Sequence, residues 1–209
     1  MRARAFTQAK LRSAVSGAGA LAEGLFAALF PSDCRLCGLP LTKISRLPVC
    51  TNCLAAMGPI AGETCGICGE TVSSQVFAVG VAPCPACQES RPSFTRAVAY
   101  GSYDGELREL IHLLKYDGVV PAAKVLGRML AQAIQKLDLA PGPLLVIPVP
   151  LHRSKKRQRG FNQAELIARK ALRRLSLPDA QLASGILARS RTTASQIGLT
   201  RPQRAENIR

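Results

Sequence analysis

The stretches CRLCGLPLTKISRLPVCTNC (34–53) and CGICGETVSSQVFAVGVAPCPAC (65–87) hold all eight cysteines of the chain. They form four CxxC pairs: Cys34/Cys37, Cys50/Cys53, Cys65/Cys68 and Cys84/Cys87. Two cysteines spaced by two residues can aim both sulfurs at one ion from a tight turn, and two such turns complete a tetrahedral thiolate shell. Gly38 and Gly69 follow the first and third pairs. A small residue there lets backbone N–H groups turn toward the sulfurs. Two structural zinc ions are the preferred reading. A disulfide framework would need an oxidising compartment. A redox-active CxxC would normally occur once, at the start of a helix. An iron–sulfur cluster uses the same ligands. A closed all-thiolate shell has no open position, so such ions hold structure and do no chemistry. Joining consecutive pairs closes each loop at lower entropic cost than an interleaved cross-brace. The segment is short and polar, so the metal supplies much of its folding free energy.

The 209 residues allow one domain, or a small one plus a medium one. A 47% hydrophobic and 20% charged composition excludes wholesale disorder. Aromatics at 4%, with no Trp, exclude a surface built in bulk on stacking. The net charge of +15 points to an anionic partner: nucleic acid, phosphate esters or an anionic membrane. The charge is uneven. Residues 152–209 carry fourteen basic and three acidic side chains, whereas residues 23–90, with the cysteines, carry three and five. These are two kinds of polypeptide, and they imply two domains. No run of eighteen apolar residues suggests a transmembrane helix. The apolar run GALAEGLFAALF (19–30) follows Arg2, Arg4, Lys10 and Arg12. Glu23 interrupts it, and an amphipathic helix with Leu21, Leu25, Ala28 and Leu29 on one face is preferred over a signal peptide. The acid-free first 22 residues also suit an organellar transit peptide.

From Phe94 the periodicity changes. TRAVAYGSY (95–103) alternates as a strand does. Asp104 suits an N-cap, and Leu107, Leu110, Ile111 and Leu114 share one helical face that ends at Lys115–Gly118. Pro121 opens a second helix with Val125, Leu126, Met129, Leu130, Ala133, Ile134 and Leu137 as its stripe. LLVIPVP (144–150) reads as a strand buried on both faces. The basic loop HRSKKRQRG (152–160) follows. A third helix has Ala164, Ile167, Ala168, Ala171, Leu172 and Leu175 inside and Arg169, Lys170, Arg173 and Arg174 outside. The order reads as α/β with a parallel sheet. Ligands of open α/β sheets bind at strand carboxyl ends. Here that end delivers Arg153, Lys155, Lys156, Arg157 and Arg159, then Gly160, Asn162 and Gln163 at a helix N-terminus, where N–H groups favour phosphate. A solvated basic loop without ligand is the equal alternative. His112 reads as a surface residue, His152 as a weak neutral contact among cations, and Met57 and Met129 as packing.

Together, the four CxxC pairs, LLKYDG (113–118), PVPLHRSKKRQRGFNQAELIA (148–168) and RTTASQIGLTRPQRAENIR (191–209) resemble the ComF family (competence protein F), phosphoribosyltransferase-like. The likeness runs from about Leu29 to the last residue. After the amphipathic helical segment at 1–30 that the apolar pattern suggests, it implies a double zinc ribbon at 31–92 and a partial type I phosphoribosyltransferase domain, a Rossmann-like parallel sheet, at 93–209. It implies binding of phosphoribosyl pyrophosphate or pyrophosphate, with magnesium. Lys115, Pro148, Val149, Pro150, Leu151, Arg153, Arg157, Arg159, Gly160, Asn162, Gln163 and Arg204 are the candidate binding residues. Phe161, Gln196 and Asn207 also match the family's segments. It further implies a cytoplasmic protein that handles single-stranded DNA, with DNA-uptake proteins such as a helicase as partners. One departure stands out. Phosphoribosyltransferases of this fold resemble one another in a strand ending in two adjacent acids before a Thr- and Gly-rich loop. None of the thirteen acids here is adjacent to another; the closest are Asp104 and Glu106. The chain stops at Arg209, about where the strand leading to that loop would begin. The expectation is a ComF protein short of its C-terminal part, with little or no transferase activity. The alternative is a zinc-ribbon nucleic-acid-binding accessory without catalysis, its single-stranded DNA held by the basic C-terminal segment. A structural zinc module docked to a partner is a third, blander reading.

Overall fold

The computed structural model describes residues 32–41, 43, 45–72, 83–137, 139, 142–175, 177, 179–191, 196 and 198–208. The expected N-terminal helix lies outside these residues, as does the TTAS stretch (192–195), which the sequence suggests as a helix start or turn and not a phosphate loop.

An N-terminal double zinc ribbon precedes a mixed α/β region. The ribbons repeat one design. A tight turn carries the first cysteine pair, closed by the Gly38 N–H donating to the Cys34 carbonyl (2.8 Å) and, in the second ribbon, the Gly69 N–H donating to the Cys65 carbonyl (3.0 Å). Antiparallel bridges Asp33–Pro40 and Thr64–Thr71 flank the two turns. The second pair of each ribbon opens a short helix: α1 (Thr51–Ala56) after Cys50, and α2 (Pro85–Glu89) after Cys84. Gly69 has φ +73°, and a Cβ there would stand 2.9 Å from the Ala97 carbonyl oxygen. Backbone conformation and close approach both require glycine.

Residues 95–103 form no strand, contrary to the alternation. Their backbone bonds are spent singly on the ribbons: Ala97 N–H donates to the Ile67 carbonyl (2.7 Å), and the Tyr100 carbonyl accepts from Ile60 N–H (2.8 Å). The Tyr100 hydroxyl donates to the Met57 carbonyl (3.0 Å). The segment is a strap across the ribbons.

Helix α3 (Gly105–Lys115) starts at Asp104 as expected and buries Leu110, Leu113 and Leu114. Helix α4 (Ala122–Ile134) follows Pro121 and buries Leu126, Met129 and Ala133 of the expected stripe. It also buries Ala122, Ala123, Gly127 and Ala131, which pattern reading passed over. The small residues have a packing reason. α4 crosses α6 (Gln163–Leu175) so closely that a Cβ on Gly127 would lie 2.4 Å from Lys170 Cβ and 3.1 Å from Ala171 N. Ala168 and Ala171 are the buried residues of α6. Lys170 is therefore half-buried at the crossing and not wholly outside.

The sheet is parallel, as expected, and two-stranded: β1 (Leu144–Val146) pairs with β2 (Ala180–Leu182), Leu144 opposite Ala180. β1 is shorter than the 144–150 run, and burial on both faces is not found. Leu145 is 51% and Val149 71% exposed. One strand neighbour, among the described residues, covers less of the run than a central position would. The basic loop is also corrected. Residues Arg153–Arg159 form helix α5, from His152, whose Nδ1 accepts from Ser154 N–H (3.3 Å), to Gly160 in the left-handed conformation. Lys, Arg and Gln lose little rotamer freedom in a helix, and cations near its C-terminus suit the macrodipole. Helix α7 (Arg201–Ile208) is the last described element. Gln203 Oε1 accepts from Thr200 N–H (2.8 Å), half of a capping box that the sequence TRPQ announces.

One apolar core joins Cys34, Leu47, Val49, Cys53 and Met57 of the first ribbon to Leu110, Leu113, Leu114, Leu126 and Met129. Phe161, Leu166 and Ile167 pack against it. The second ribbon has a separate small cluster of Cys65, Cys84 and Cys87, with Ile67 and Val72 beside it. No helix among the described residues is long and apolar enough to cross a membrane.

Gly127→Val is expected to cost about 1–3 kcal/mol through overpacking at the α4–α6 crossing. Urea denaturation checks this, and an unchanged midpoint would show that the crossing can open freely.

Candidate metal centres and anion site

The sulfurs gather into two clusters, Cys34/Cys37/Cys50/Cys53 and Cys65/Cys68/Cys84/Cys87, each with all ligand atoms within 4.8 Å of one another. The pairing is consecutive, not a cross-brace. Within them Cys34–Cys53 are 3.9 Å apart, Cys37–Cys50 3.8 Å and Cys68–Cys84 3.6 Å. A Zn–S bond of about 2.3 Å makes the edge of a tetrahedron about 3.8 Å. The spacing is that of four thiolates around one ion, and far longer than a disulfide bond. The two four-cysteine sites fit two structural zinc ions.

The surroundings favour thiolate at one sulfur of each ribbon. Burial pushes the Cys34 thiol up, but backbone N–H groups of Cys50, Cys37 and Leu36 outweigh it and bring the pKa down to about 6. Cys65 repeats this: burial raises it, and N–H groups of Cys68, Cys84 and Ile67 bring it to about 6. The Cys50 and Cys84 N–H groups lie 3.3 Å and 3.2 Å from these sulfurs. Burial pushes Cys53 and Cys87 up, and neighbouring sulfurs push them further, Cys87 to about 12. Without an ion the four sulfurs cannot all ionise together; a divalent cation removes that conflict.

The second candidate site surrounds the turn after β1. Asn162 is 8% exposed and uses both ends of its amide. Its Nδ2 donates to the Val149 carbonyl (3.0 Å), and its Oδ1 accepts from Ala164 N–H (3.0 Å). The residue therefore clamps Pro148–Leu151 against the start of α6. Arg159, at the end of α5, donates to Gln163 Oε1 and lies over the Tyr116 ring, 5.6 Å from its centroid. Lys115 closes the group from α3. Burial lowers its pKa, and the Arg159 charge lowers it further.

The structure thus brings together Lys115, Val149, Arg159, Asn162 and Gln163. Arg153 and Arg157 stand exposed on α5, and Gly160 serves as its C-cap. Arg204, on α7, donates from Nε to the Leu199 carbonyl (2.9 Å). Sequence reasoning missed an aromatic group at this place. Tyr103 donates to or accepts from His112 Nε2 (3.0 Å), and His112 meets Tyr116 edge-on at 5.2 Å. Lys115 Nζ is 5.9 Å from the Tyr103 ring centroid. The spacing His112, Lys115, Tyr116 on one helix end was the available signal.

A double zinc ribbon domain model matches residues 25–88. Competence protein F of Haemophilus influenzae is 30% identical over 172 residues, covering 79% of this chain and 69% of that protein. The chain belongs to the competence protein F family. DNA utilization protein YhgH of Salmonella typhimurium is 28% identical over 183 residues, 86% of this chain and 76% of that protein. YhgH of Escherichia coli strain K12 is 29% identical over 182 residues, with the same two coverages, 86% and 76%. No solved structure matches the chain.

Metal analysis is expected to find two zinc ions in the competence-family chain and one in either Cys34→Ser or Cys65→Ser. Because, among the described residues, only the first ribbon shares the main core, Cys34→Ser should lower the main thermal midpoint by on the order of 10 °C. Cys65→Ser should leave that midpoint nearly in place. Equal losses in the two variants would contradict the division of the core.

Proposed function

We propose that this competence-family chain serves DNA utilisation as a cytoplasmic protein that binds phosphoribosyl pyrophosphate, with magnesium, beside the PVP turn. The observation that carries the reading is the Asn162 clamp between Val149 and Ala164. It holds a backbone turn and a helix start together, with Arg159 and Lys115 within mutual electrostatic range. Two converging cations in a partly desolvated place await an anion, since each raises the cost of the other's charge. A diphosphate relieves that cost with charge-assisted hydrogen bonds. The names of the relatives add the link to DNA. Arg153, Arg157, Gln163 and Arg204 are assigned to the same ligand by family likeness.

The type I phosphoribosyltransferase fold belongs to this reading as well. Transfer chemistry does not follow from binding. No acid pair stands among these 209 residues to hold the ribose hydroxyls or a magnesium shell. The reading is a ligand-binding domain without turnover on its own.

A second reading, a zinc-ribbon nucleic-acid-binding accessory, draws on the fourteen basic residues after position 151. A DNA-uptake helicase is the partner class that family likeness supplies to either reading.

Calorimetry of the zinc-loaded chain with magnesium and phosphoribosyl pyrophosphate is expected to show binding. Arg159→Ala and Lys115→Ala should each weaken it about tenfold or more. Pyrophosphate exchange should stay at background. A folded sample that binds nothing, or variants that bind as well as the parent, would remove the assignment.

A further inference from the structure

A cleft of ≈ 510 Å³ lies between α4 and α6, lined by Lys124, Val125, Arg128, Lys170, Arg173 and Arg174. It shares no residue with the site at the PVP turn. Five of its six lining residues are cations. α4 contains no acid, and the sole acid of α6, Glu165, is engaged by Arg169 at 2.8 Å. Among the described residues, none of the five cleft cations forms an ion pair. Five like charges converging without compensation oppose the close α4–α6 crossing that Gly127 permits. A polyanion in the cleft would turn that repulsion into attraction.

We propose that the α4–α6 cleft binds the phosphodiester backbone of a nucleic acid. Lys124 and Arg128 lie one helical turn apart on one wall, and Lys170 and Arg174 do so on the other. A turn advances about 6 Å for four residues, so the cations form two rows along the cleft. Rows suit a run of phosphates better than one compact diphosphate, which needs enclosing N–H or hydroxyl donors. Lysine and arginine with one valine supply no aromatic platform on which bases could stack. The contact is therefore carried by phosphates, and its affinity falls steeply with salt. The inference rests on the DNA-handling reading of the chain and gives that contact a place. It moves part of the nucleic-acid surface out of the basic C-terminal segment, because Lys124 and Arg128 precede it.

The test is fluorescence anisotropy of labelled single-stranded oligonucleotides, a thymidine run and a mixed sequence, with the zinc-loaded full chain across a salt series. Three proteins are compared: the parent; Lys124→Gln with Arg128→Gln; and a charge-matched control, Arg153→Gln with Arg157→Gln on α5. All four positions are exposed, so folding should be kept, and circular dichroism and zinc content verify it. The cleft pair should weaken binding about tenfold and flatten the salt slope by about 1.4, roughly 0.7 per lost phosphate contact. The α5 pair should do clearly less, and both oligonucleotides should behave alike. Equal losses in the two pairs would mean that net charge alone binds DNA, and the cleft assignment would fall. So would displacement of the oligonucleotide by pyrophosphate at matched ionic strength. A cleft pair that binds like the parent overturns the cleft and leaves DNA binding standing. A parent that binds no DNA even at low salt overturns both.

Discussion

Four sulfurs drawn to one point at Cys34, Cys37, Cys50 and Cys53 organise more than their own loop. Cys34 and Cys53 are buried members of the main core, in one cluster with Leu110, Leu114 and Met129. Arg35, inside the first knuckle, reaches Asp117 at 2.9 Å just beyond α3. That exposed pair adds little energy by itself. It marks how closely the ribbon sits against the helix whose end carries Lys115. Metal coordination, core packing and the position of a site cation thus lie on one continuous piece of structure. The second ribbon is built alike, but its apolar cluster is its own, and the strap bonds to it at Ala97.

Beyond the ribbons, two close approaches arrange the basic surface. At Gly127 the absence of a side chain lets α4 and α6 cross, which sets cations of both helices into one cleft. At Asn162 the side-chain amide ties the turn after β1 to the start of α6. Neither residue carries charge. Each determines where charge is delivered, which is why deleting a cation and disturbing its support should have different signatures.

Much of this was legible in residue order. The CxxC spacing names the ligands and their number, because thiolate geometry around one ion is short-range and leaves few arrangements. The faces of α3 and α6 follow from 3.6-residue periodicity, as does much of that of α4. Leu110, Leu114, Leu126 and Met129 lie where the pattern puts them. The parallel arrangement of β1 follows from the helices between it and its partner.

The rest depended on neighbours that local sequence does not contain. TRAVAYGSY has strand alternation, yet the ribbons take its backbone donors one at a time. AQL (180–182) has no strand signature and becomes β2 because Leu144–Val146 lies alongside it. HRSKKRQRG is a helix because His152 and Gly160 bound it, and His is a rare signal for a start. Tyr103, His112 and Tyr116 gather beside two cations although aromatics are scarce. Residue order was enough for the metal-binding cysteines, the helical faces and the excess of positive charge, all properties of spacing and composition. It took the folded chain to settle which cations share a cleft, which strand pairs and which ribbon joins the core. Those outcomes depend on groups distant in the chain meeting at van der Waals and hydrogen-bonding range.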